Sequence, residues 1–137
     1  MTRSLTSAAI VLLLVLSGCS SGTDDDTDSA SGVNIEATGT EYSFSPAAWT
    51  VAADEEFSIN FINSGTTEHE WAVIDLGEDL ATGDDFAEEK VLLEVEAIDA
   101  GTETTQAFTI TEPGTYQVVC VLPGHFDEGM VGSLVVE

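Results

Sequence analysis

Positive charge is what this sequence lacks most. Its 137 residues carry 26 acidic side chains against two basic ones, a formal net charge of −24. One of the two, Arg3, lies in an apolar N-terminal segment, so Lys90 is the only cation left for the rest of the chain. Phosphate binding needs clustered Lys and Arg, and nucleic acid is therefore not an expected partner. An anionic membrane surface would repel the chain, whereas a basic protein would attract it. The same acidity also fits a salty environment, where self-repulsion is screened within about 3 Å at 1 M salt.

Long apolar runs are also scarce. The one present, Ala8 to Leu16, is well short of the roughly 20 residues that a membrane-spanning helix needs. Arg3 precedes it and small residues follow, so residues 1–18 read as an export signal. "LSGC", Leu16 to Cys19, resembles a lipoprotein lipobox. That resemblance implies cleavage before Cys19 and lipid on its thiol, tethering the chain to the cell membrane outside the cytoplasm. An ordinary signal peptide cut nearby is the alternative. The stretch up to Gly32, "SSGTDDDTDSASG", has no large apolar residue to bury, so residues 19–32 are expected to form a disordered acidic linker. Its flexible reach is roughly 20 Å.

Helical periodicity is missing from residues 33–137, where apolar residues recur at a period of two. "EEFSINFIN" places Phe57, Ile59 and Phe61 on one face. "EHEWAVID" does the same with His69, Trp71 and Val73, "VLLEVEAI" with Val91, Leu93 and Val95, and "GTYQVVCVL" with Tyr116, Val118 and Cys120. Pro46 breaks "YSFSPAAWTVAA" and suits an edge or a kink. "LGEDLATGDDFAEEK" is polar and predicts a loop with a helical turn near Asp84–Lys90. Seven to eight short strands with turn signals between them predict an all-β, Greek-key β-sandwich.

Cysteine, histidine and methionine are each present only twice. If Cys19 is lipidated, Cys120 has no disulfide partner, and an odd thiol in an exported protein is either a hazard or a reagent. With Cys19 and the initiator Met1 set aside, three of the four remaining residues of these types stand together in "CVLPGHFDEGM": Cys120, His125 and Met130. The fourth, His69, is on a separate expected strand. A thiolate and two imidazoles with a weak thioether make the blue-copper donor set, acceptable to both Cu(I) and Cu(II). Pro123 and Gly124 turn the loop so that His125 can swing back, and Gly129 lets Met130 enter the last strand. Taken singly, each residue has a plainer reading: a core histidine, a small buried hydrophobe, a surface loop residue, a packing methionine. Their concentration favours the metal. No Ser-His-Asp set, phosphate loop or spare general base accompanies them, so an enzyme is not expected.

"GTYQVVCVLPGHFDEGMVGSLVVE" resembles the C-terminal copper loop of the cupredoxins, the plastocyanin and azurin superfamily, and "EHEWAVID" resembles their upstream histidine strand. The C-x4-H-x4-M spacing is similar to rusticyanin-like and small cupredoxin-like members. The resemblance covers residues 33–137. It implies one copper ion held by His69, Cys120, His125 and Met130, and one-electron transfer to a redox partner docking near His125, within a rim of Leu122, Pro123 and Phe126. Copper trafficking or buffering at the cell surface is the second function it allows. One departure stands out: the residue after the upstream histidine is often Asn or Ser in blue members, and here it is Glu70. Glu70, Asp127 and Glu128 are expected to be solvated charges.

Overall fold

The computed structural model describes residues 32–137; the export signal, Cys19 and the linker up to Ser31 lie outside the described residues. Among the described residues nine strands form: β1 (Val33–Thr40), β2 (Ser43–Ser45), β3 (Ala48–Val51), β4 (Glu56–Asn63), β5 (His69–Ile74), β6 (Val91–Ile98), β7 (Glu103–Thr109), β8 (Gly114–Val119) and β9 (Val131–Val136). They make two sheets, in the orders β2-β1-β4-β7 and β3-β9-β8-β5-β6. The pairs β1–β4 and β3–β9 are parallel and the remaining pairs are antiparallel. The chain passes from one sheet to the other at β2–β3, β3–β4, β4–β5, β6–β7 and β7–β8. That is the expected sandwich. No helix among the described residues is long and apolar enough to cross a membrane.

The strand count exceeds the expected seven to eight because "YSFSPAAWTVAA" is two strands. Pro46 stands between them, and each becomes the edge of a different sheet. A residue without an amide N–H is tolerated there because an edge leaves ladder positions unused. The stretch also begins later than read: Tyr42 belongs to the β1–β2 turn rather than to a strand.

Alternation does place the core. Phe57, Ile59 and Phe61 from one sheet face Trp71, Val73, Tyr116, Val118 and Leu134 from the other, all essentially without exposure. Trp49 stands edge-on to Trp71, with ring centroids 5.7 Å apart. β5 is buried at all six positions because a second, smaller cluster covers its outer face. There Ala72, Ile74 and Val119 meet Leu80, with Phe86 and Phe126 packed against them. The β5–β6 connection builds this cover with two short 3-10 turns, Gly83–Asp85 and Glu88–Lys90, where a helical turn was expected. Val91 departs from the expected inward row: the β5–β6 register shifts between Val73 and Ile74, and Val91 joins the second cluster while Leu93 and Val95 stay with the first.

Truncating the centre of the core leaves a cavity that the rigid sandwich cannot close. Ile59→Ala is expected to lower unfolding free energy by about 2–5 kcal/mol. Tyr116→Phe, which removes only the hydroxyl that donates to Glu112 O at 2.6 Å, should cost about 1 kcal/mol. Urea unfolding of the two variants checks the ranking.

Candidate metal centre

One end of the sandwich gathers the scarce residues. His69 opens β5, Cys120 follows the last residue of β8, and Met130 immediately precedes β9. The loop between closes on its own backbone. Cys120 N–H donates to Met130 O at 3.2 Å, Met130 N–H to His125 O at 3.0 Å, and His125 N–H to Leu122 O at 3.0 Å. Gly124 and Gly129 supply the positive φ values of 85° and 106° that this path needs. His125 is thereby folded back, as the Pro-Gly turn predicts.

The ligating atoms of His69, Cys120 and His125 all lie within 4.8 Å of one another. His125 Nδ1 is 3.3 Å from Cys120 Sγ and 3.2 Å from His69 Nδ1. His69 and Cys120 are fully buried, whereas His125 is half-buried. Met130 is fully buried in the same core cluster as Cys120. Its Cε lies 3.3 Å from the point where a Gly39 Cβ would sit, so the glycine in β1 makes room for it.

The orientation of the His69 ring suits a ligand. Its Nδ1 faces the cluster. Its Nε2 points away, buried and without a hydrogen-bond partner among the described residues. A neutral imidazole that binds metal through one nitrogen keeps its proton on the other. The backbone at Gly65 comes so close that a Cβ there would stand 2.6 Å from Nε2. Burial pushes the imidazole below the ordinary histidine pKa, and the neighbouring His125 adds to this, with Glu41 opposing. Burial pushes the Cys120 thiol up to about 11, against backbone N–H groups of Glu70 and Leu122 that favour the thiolate. Both groups are held uncharged, and both carry soft or borderline donor atoms. A soft cation at the common point of the three donors would restore what desolvation takes away.

Glu70 is not a solvated charge. It is only 7% exposed, and its Oε1 accepts the N–H of Val121, the residue after Cys120, at 2.7 Å. Burial raises its pKa, and the nearby Glu94 and Glu88 add to the rise, while the Val121 bond opposes it. The carboxylate at the departing position thus pins the cysteine end of the loop to β5. Asp127 is exposed as expected, yet it too is an anchor: its Oδ1 accepts Gly83 N–H at 2.8 Å. Glu128 is exposed.

Two further supports were not evident from the sequence. Asn63, the last residue of "EEFSINFIN", is buried, donates to Thr67 O and Ile98 O at 2.8 Å, and accepts Gly65 N–H at 2.9 Å. It fixes the loop that delivers His69. Tyr42 stands edge-on to His125, with ring centroids 5.5 Å apart and an interplanar angle of 83°. Of the residues expected in the rim around His125, Pro123 is exposed, while Leu122 and Phe126 are half-buried and pack against the first and second clusters. A buried Asn at a strand end and an aromatic in a tight turn have no periodic signature, so no pattern in the sequence marks either.

A family model for the "Cupredoxin-like domain" matches residues 6–136. The chain belongs to the cupredoxin-like family. Among curated relatives, Auracyanin-A of Chloroflexus aurantiacus is 31% identical over 150 aligned positions, covering 96% of this chain and 92% of the relative. The copper-resistant cuproprotein CopI of Rubrivivax gelatinosus is 30% identical, covering 68% of this chain and 59% of its own length. Auracyanin-B of Chloroflexus aurantiacus is 24% identical, covering 78% and 52%. The chain therefore spans between half and three-fifths of the length of the latter two. Two solved structures share the fold. Dithionite-reduced auracyanin of Roseiflexus castenholzii has a TM-score of 0.68 at 23% identity, covering 77% of this chain and 98% of its own. Rusticyanin of Thiobacillus ferrooxidans has a TM-score of 0.62 at 18% identity, covering 78% and 79%. Cupredoxins take one copper ion, and the donor set here is a candidate site for it.

The Glu70 contact makes a prediction for the copper-free protein. The carboxyl's folded pKa is above its unfolded value, so its contribution to stability is present below pH about 4.5 and is lost as pH rises through the folded value. Glu70→Gln keeps an acceptor for Val121 N–H and removes the buried charge. It should match or exceed the parent's stability near neutral pH, with the gap closing towards pH 4. Glu70→Ala, which orphans that N–H, should fall below Glu70→Gln by about 1–3 kcal/mol. Urea midpoints of both variants across pH 4–8 check the sign.

Proposed function

We propose that this protein is an extracytoplasmic one-electron carrier with a type 1 copper centre that His69 Nδ1, Cys120 Sγ, His125 Nδ1 and the Met130 thioether would hold. The observation that carries this reading is the convergence of one thiol and two imidazole nitrogens within 4.8 Å at the end of a rigid sandwich. Copper bound there supplies a one-electron couple between Cu(I) and Cu(II), which this mixed donor set tolerates in both states. The residues contribute position. Cys120 and His69 are held at strand ends by the core, so the donors need little rearrangement between the two states. His125 is the least buried of the three and offers a redox partner its route of contact. The exposed acids orient that partner, and their sign favours a basic docking face. Nucleic acid is not a partner in this reading. Lipid on Cys19 and the acidic linker would hold the domain at the outer face of the cell membrane.

Copper trafficking or buffering at the cell surface is the second reading, favoured by the 30% identity to a relative named as a copper-resistant cuproprotein. Electron self-exchange measured beside copper transfer to a chelator separates the two: slow exchange with ready release supports trafficking.

The Cu(II)-loaded protein should show an intense visible charge-transfer band that bleaches reversibly on reduction and is absent from Cys120→Ser. Optical and EPR spectra of the two proteins test this, and a Cys120→Ser variant that keeps the band would contradict it.

A further inference from the structure

The β1–β2 turn, which brings Tyr42 to His125, also reaches the loop before His69. Its Glu41 carboxylate accepts the backbone N–H of Thr66 and, at 2.8 Å, the Thr66 hydroxyl. The same Glu41 Oε1 lies 2.9 Å from the point where a Gly65 Cβ would sit, the point that is 2.6 Å from His69 Nε2. The turn is thus stapled to the loop that delivers His69. The next residue, Tyr42, has a φ of 60°. That left-handed conformation is uncommon for a non-glycine residue and an outlier for a bulky one. Such a conformation persists only where its surroundings over-determine it. Here the Glu41–Thr66 bonds hold one side, and a 2.8 Å contact between the Thr40 and Ser43 hydroxyls holds the other. The held conformation places the Tyr42 ring edge-on against His125. Yet Tyr42 is 43% exposed, one of few large apolar residues at the surface among the described residues. Core packing therefore does not account for it.

We propose that Tyr42 is a positioning residue of the copper centre, its ring the outer wall that keeps the His125 imidazole turned towards Cys120 and His69. The inference rests on the reading of His125 as a copper ligand. Of the three clustered donors, His69 and Cys120 are immobilised by burial, so loss of copper to solvent begins with rotation of His125. A ring packed against that imidazole opposes the rotation through an edge-to-face contact. Its exposed face makes Tyr42, rather than Phe126, the aromatic surface that a partner meets beside His125.

Four variants separate ring from backbone. Tyr42→Phe keeps the ring and the φ cost. Tyr42→Ala removes the ring and keeps the φ cost. Tyr42→Gly removes the ring and relieves the backbone, because glycine accepts positive φ freely. His125→Ala is the control for the ligand assignment. Three quantities are measured: the rate at which excess EDTA strips copper from the Cu(II)-loaded protein, the urea midpoint of the copper-free protein, and the Cu(II) spectrum. Copper loss should follow the ring: Tyr42→Phe like the parent, Tyr42→Ala and Tyr42→Gly faster by similar severalfold factors. Stability should follow the backbone, with Tyr42→Gly above Tyr42→Ala. Parent-like copper loss from Tyr42→Gly and Tyr42→Ala, beside an altered Cu(II) spectrum in His125→Ala, overturns the proposal and leaves the ligand assignment standing. Copper loss that merely tracks the urea midpoints also overturns it. An unaltered Cu(II) spectrum in His125→Ala removes the ligand assignment itself.

Discussion

Everything at the open end of this sandwich depends on keeping a thiol and an imidazole out of water. Cys120 and His69 are fully buried and side by side. Burial pushes the thiol up and the imidazole down, so both remain uncharged near neutral pH. Their lone pairs nonetheless lose water as partners, and they converge with those of His125. A frame that holds three such donors at one point is costly to form unless something binds there. The supply of frame is correspondingly generous: Ile59, Phe61 and Trp71 fix the sheets behind the site, and Asn63 fixes the loop that starts β5.

The second constraint is that the donors come from separate segments, and each segment needs its own attachment. Backbone bonds from Cys120 to Met130 and from Met130 to His125 close the ligand loop on itself. Glu70 then ties the loop's first residues to β5, and Asp127 ties its far side to the β5–β6 connection. Three of the anchoring groups, Glu41, Glu70 and Asp127, are carboxylates accepting backbone N–H bonds. In a chain with one cation among the described residues, amide groups are the available partners for acids. The acidic composition is thus partly structural and not only a surface property.

Much of this was legible because two signals are local. Alternation marked Phe57, Ile59, Phe61, Tyr116 and Val118 as inward, since a strand's period of two is written directly into the sequence. The scarcity of Cys, His and Met marked the candidate donors, because three of the four stand in one short stretch, Cys120 to Met130. What stayed hidden depends on registry between distant segments. The shift that turns Val91 outward is a property of the β5–β6 pair. The buried carboxyl of Glu70 has its partner in Val121, 51 residues along the chain. Tyr42 read as a strand residue because its neighbours alternate, and only the turn geometry brings it to His125.

X-ray absorption at the copper edge of the loaded protein tests the central claim most directly, because it reads the donor atoms themselves. A coordination shell with a single sulfur at short distance and two nitrogen donors is the predicted result. A shell of nitrogen and oxygen donors without that sulfur would contradict the account.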